Sequence, residues 1–105
     1  MGEYFRGAKK QDVPEGAGVV STIQGKDVAI FNLDGEFYAI GNICPHKGGP
    51  LGEGEVNGTV VTCPWHGWEI DILKGCHPEN EKVKVPTYPV RLVGDNVLVD
   101  VEEAK

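Results

Sequence analysis

The feature that most constrains the fold is a period-two alternation of β-branched and aromatic residues with polar ones, broken at short intervals by glycine-bearing turns. No stretch of ten or more residues combines helical periodicity with end caps, so the chain is expected to be all-β. Segments 18–24, 27–33 and 36–40 read as a meander, turned at Gly25-Lys26 and at Asp34-Gly35, the latter a dipeptide suited to a type I′ hairpin. Further strands are expected at 59–63 after Asn57-Gly58, at 68–73 before Lys74-Gly75, and at 88–93 and 96–101 about Gly94-Asp95. Val28, Ile30, Phe37 and Ile40 read as core, and the tail from Val101 to Lys105 is expected to fray.

All three cysteines and all three histidines fall between residues 43 and 78, while the regular β segments lie on either side. With 105 residues and no compositional break, this pattern suggests one domain, 1–105, a β-sandwich with an inserted subdomain at about 43–78. Cys44, Cys63 and Cys76 are too few for a disulfide framework, and metal ligation is the better first reading. No apolar run reaches the ~20 residues of a membrane helix, and the opening MGEYFRGAKK lacks the apolar core of a signal peptide. A soluble cytoplasmic protein is therefore expected. The net charge of −6 disfavours nucleic acid and anionic membranes as partners and favours basic proteins, although solubility alone also accounts for it.

Two segments carry the chemistry: Cys44-Pro45-His46-Lys47-Gly48-Gly49-Pro50-Leu51 and Cys63-Pro64-Trp65-His66-Gly67-Trp68. Thiolate and imidazole are the ligands that zinc and iron-sulfur centres use, and two Cys/His pairs on separate turns can enclose a metal from opposite sides. The 16 residues 47–62 between the pairs leave room for one β-hairpin. Pro45 and Pro64 stiffen the turns, while Gly48, Gly49 and Gly67 permit tight backbone paths with amides free for sulfur. By ligand type alone a structural zinc site remains possible.

The unequal spacings, Cys-x-His and Cys-x-x-His, together with 13–16, 35–40, 88–90 and 94–95, resemble the Rieske 2Fe-2S family along nearly the whole chain. The resemblance implies a Rieske-like antiparallel β-sandwich with an inserted cluster-binding subdomain. It also implies one [2Fe-2S] cluster, with Cys44 and Cys63 on one iron and His46 and His66 on the other. Replacing two thiolates by neutral imidazoles makes such a cluster less negative and easier to reduce. Respiratory-type members resemble a pattern with an extra cysteine in each loop and a Ser and Tyr after the second. Here Gly49 and Trp65 stand at the first two positions and Trp68 and Ile70 at the others, which implies a potential low in the range of about −150 to +300 mV.

Rieske oxygenases carry a second domain with a mononuclear iron on two histidines and a carboxylate, and here only His77 is left over for such a site. The resemblance therefore implies a non-enzymatic one-electron carrier, like the ferredoxin component of bacterial ring-hydroxylating dioxygenase systems. Its partners would be a flavin-dependent reductase upstream and a Rieske oxygenase downstream. The small Rieske subunit of a nitrite reductase is the alternative. Cys76 is read as an ordinary loop residue, Trp68 as packing, and Trp65 equally as packing or as a partner contact.

Overall fold

The computed structural model describes residues 3–44, 48–65 and 67–102, so His46, His66, Pro45 and Lys47 lie outside the described residues. Among the described residues twelve strands run in chain order: β1 Phe5–Lys9, β2 Ala17–Ile23, β3 Lys26–Leu33, β4 Glu36–Gly41, β5 Glu55–Asn57, β6 Val60–Thr62, β7 Glu69–Asp71, β8 Cys76–His77, β9 Asn80–Lys84, β10 Thr87–Tyr88, β11 Val90–Val93 and β12 Asn96–Val99. They form three antiparallel sheets, ordered β1-β12-β11, β10-β4-β3-β2 and β5-β6-β7-β8-β9.

The second of these sheets is the middle layer, and β3 is its central strand. Its Val28, Ala29, Ile30 and Phe31 are all fully buried, because both faces of the strand are covered. Val28 and Ile30 join Phe37, Ala39, Val97 and Val99 in a core against the terminal sheet. Ala29 and Phe31 join Ile40, Leu51, Val61, Ile70 and Ile72 in a core against the third sheet. Cross-strand register keeps the two sets apart: Ala29 faces Ile40 and Phe31 faces Tyr38, while Ile30 faces Ala39. Each large apolar side chain buried this way contributes ~1.5–3 kcal/mol of transfer free energy.

Local chemistry explains the turns. Asp34 and Gly35 both have positive φ, 56° and 89°, as a type I′ hairpin requires, and the Asn32 Oδ1 atom accepts the Gly35 N–H at 2.9 Å. The β2–β3 turn is centred on Gln24 and Gly25, one residue earlier than Gly25-Lys26, and Lys26 already pairs with Ile23.

Four strands escape the alternation argument. β1, FRGAK, has no clean apolar face, yet it pairs with β12 along Phe5–Lys9. β5, β8 and β9 are short or highly charged and exist because neighbours supply their hydrogen-bond partners. The tail expected to fray differs at its start, while residues 103–105 lie outside the described residues. Val101 is buried, and the Lys26 ammonium donates to its carbonyl at 3.0 Å.

Candidate iron-sulfur centre

Each of the two cysteine loops leaves the end of a strand. The first begins after β4, which runs through Asn42 and Ile43 into Cys44, and the second begins where β6 ends and Cys63 follows. Backbone hydrogen bonds close both. The Cys44 amide donates to the Gly49 carbonyl at 2.9 Å and the Gly48 amide returns to the Cys44 carbonyl at 2.8 Å; the Cys63 amide donates to the Trp68 carbonyl at 2.7 Å. Gly48 and Gly67 sit in the left-handed region, at φ 77° and 70°.

Asn42 is the residue that sequence reasoning missed. It is buried, its amide donates to the Asp27 carbonyl at 3.0 Å, and its own carbonyl accepts the Leu51 amide at 2.8 Å. Its Oδ1 atom accepts the Gly52 amide at 2.7 Å, so one side chain pins the exit of the first loop to its entry. An asparagine after a strand reads locally as a turn former, and nothing in the sequence distinguishes it from that.

The structure brings Cys44 and Cys63 together. Both are buried free thiols in the core beneath the third sheet, close enough for Cys44 to perturb the Cys63 thiol. Burial pushes the Cys63 thiol up, the Trp65 amide opposes this by donating to the sulfur, and Cys44 adds to the rise. Two thiolates side by side in so apolar a pocket would need a cation between them, so the pair could hold a metal. The backbone adds a close-fitting wall. A methyl group placed on Gly49 would lie 2.7 Å from the Cys63 sulfur and 2.9 Å from Trp65 Cγ. Gly49 and Trp65 are the two positions where the respiratory-type pattern carries its extra cysteines, and here an indole against a bare backbone joins the loops instead.

Ile43 and Trp65, 54% and 51% exposed, stand out beside these loops, whereas Trp68 packs against the core. The Trp68 ring meets His77 edge-on at 6.1 Å, and His77 Nδ1 accepts the Glu79 amide at 3.0 Å. Cys76 departs from the sequence reading: it is a buried strand residue, paired with Asp71 and Lys84, and belongs to neither core. Pro78 occupies the exposed β8–β9 turn, and the proline lying against the base of the first loop is Pro86, whose ring would be 2.9 Å from a methyl group on Gly41.

This fold, with paired cysteines at the ends of two closed loops, is that of a cluster-binding electron-transfer domain. The model of the Rieske [2Fe-2S] domain matches residues 3–89, and the chain belongs to that family, carries one [2Fe-2S] cluster and serves as an electron carrier rather than an enzyme. It is 34% identical over 92 residues to the ferredoxin component of the naphthalene 1,2-dioxygenase system of Pseudomonas aeruginosa, covering 85% of this chain and 86% of the relative. The Sphingomonas yanoikuyae B1 ferredoxin superposes with a TM-score of 0.83 at 29% identity, over 93% of this chain and 98% of that one. A protein described as the small subunit of an NADH-dependent nitrite reductase from Mycobacterium tuberculosis superposes with a TM-score of 0.86 at 26% identity, over 100% of this chain and 96% of that one.

Proposed function

We propose that this chain is the ferredoxin of a ring-hydroxylating dioxygenase system, holding its cluster on Cys44, Cys63, His46 and His66 in a single domain. The observation that carries the ligand assignment is the meeting of Cys44 and Cys63, 19 positions apart in sequence, in one buried pocket whose wall is the Gly49 backbone. A bound cluster supplies reversible one-electron chemistry at a potential raised by its imidazole ligands. The chain's own residues exclude water from the thiolate side, hold Cys63 through the Trp65 amide and lock the first loop through Asn42.

His46 and His66 complete the set by their place in the two motifs. The exposed Ile43 and Trp65 beside the loops suit a small transient redox interface. An electron would enter from a flavin-dependent reductase and leave to a Rieske oxygenase in the cytoplasm. No helix among the described residues is long and apolar enough to cross a membrane.

The test is an absorption and low-temperature EPR spectrum of purified protein before and after dithionite, with iron and zinc analysis. Two irons per chain and a rhombic reduced signal of low average g are expected; a colourless zinc-loaded protein overturns the proposal. The full-length match to a nitrite reductase small subunit keeps one second reading open. Co-purification as a stable complex with a large flavoprotein would favour it, whereas elution as a free small protein favours the carrier.

A further inference from the structure

A second feature lies at the end of the molecule away from the cysteine loops. Strands β4 and β6 lead into those loops from hairpin turns at 34–35 and 57–59, and a cavity of about 410 Å³ opens between these two turns. Its wall is apolar, formed by Leu33, Val56, Leu73 and the Tyr38 ring, with Leu73 50% exposed beside it. The charged residues lining it are Glu15 and Asp34, and no lysine or arginine does so among the described residues.

Both carboxylates are carried on backbone that Asn32 fixes. The Asn32 carbonyl accepts the Gly16 amide at 2.8 Å, its Nδ2 group donates to the Val13 carbonyl at 2.9 Å, and its Oδ1 accepts the Gly35 amide at 2.9 Å. A third carboxylate, Glu36, is held nearby by the Tyr38 hydroxyl at 2.7 Å. The rim is thus preorganised and negative, and the wall is apolar.

We propose that this cavity is a docking site for a partner protein's lysine or arginine set among apolar residues. The alkyl stem would cover the Leu33–Val56 wall while the cationic head reaches Glu15 and Asp34, as long basic side chains do at mixed surfaces. The cavity volume exceeds what one such stem fills and leaves room for a flanking apolar side chain over Leu73. Thr59, also lining the cavity, precedes Cys63 by four residues along β6, ~13 Å, so a partner held here need not cover the cysteine loops. The site therefore anchors a partner independently of electron exchange at the other end.

The test uses amide NMR spectra of the oxidised holoprotein titrated with acetyl-Leu-Lys-Leu-amide, its Gln counterpart, and n-hexylammonium. The Lys peptide is expected to shift the Gly16, Asp34, Gly58 and Thr59 amides and to bind about fivefold more tightly than the Gln peptide, the worth of two exposed ion pairs. Glu15→Gln with Asp34→Asn should erase that preference and leave the cluster spectrum unchanged, since Asn tolerates the left-handed turn position. Equal binding of the two peptides, or shifts elsewhere, overturns the site. Hexylammonium binding as tightly as the Lys peptide overturns the protein partner in favour of a free amine. Wild-type protein alone decides both points, and a missing cluster would be seen separately in the absorption spectrum.

Discussion

Gly49→Ala places one methyl group where the two loops touch, and its consequence follows from the distances. The new carbon would lie 2.7 Å from the Cys63 sulfur, 2.9 Å from Trp65 Cγ and 3.1 Å from Trp65 Cβ, about 1 Å inside ordinary contact in each direction. Trp65 is half-exposed and can swing outwards, but Cys63 is 1% exposed and has nowhere to retreat. The strain therefore falls on the thiolate, at the cost of about 1–3 kcal/mol typical of overpacking. Expressed in cluster retention, that is roughly a 5- to 150-fold shift at 1.4 kcal/mol per decade. The assay is loss of visible absorbance under an iron chelator, alongside the EPR spectrum of the reduced protein. Gly25→Ala is the control, since the β2–β3 turn is open space with φ 77° and its substitution strains only the backbone. If Gly49→Ala retains its cluster as long as the wild type with an identical EPR signal, the packing argument fails.

Asn42→Ala should strip the Gly52 amide of its buried acceptor and destabilise the protein by about 1–3 kcal/mol, read from a denaturation midpoint. His46→Ala and His66→Ala should each lose or alter the cluster spectrum, whereas Cys76→Ser, in a different part of the third sheet, should keep it; a bleached Cys76 variant would add that residue to the site. Protein-film voltammetry should place the midpoint in the lower part of about −150 to +300 mV, because Ile70 offers no hydroxyl to a sulfur, and a value well above roughly +100 mV would contradict this. The Tyr38 phenol, pushed up by its hydrogen bond to Glu36, by burial and by the Glu36 charge, should ionise above the ordinary tyrosine value of 10.0 in an ultraviolet titration. The raised value means that its contribution to stability is present below that ordinary value and lost as pH rises through the shifted one; Glu36→Gln should move it back down.

The alternation that identifies β2, β3 and β4 is a local property, because each residue's side of the sheet follows from the pleat alone. The type I′ turn at Asp34-Gly35 is equally local. The paired motifs likewise name the proposed ligands in sequence, since ligand type and spacing are carried by a few contiguous residues. What the chain by itself leaves undecided is everything set by partners distant along it. β1 is a strand only because β12 offers it an edge, and Val101 is ordered because Lys26 reaches its carbonyl. Both faces of β3 are buried because sheets lie on either side of it, a fact that a run such as Val28-Ala29-Ile30-Phe31 is compatible with but does not demand. The same holds at the metal centre. The proposal of Cys44 and Cys63 as ligands is legible in their motifs, but the Gly49 backbone against Cys63 and the Asn42 lock are contacts between segments, and only the folded chain decides which backbone stands beside which sulfur.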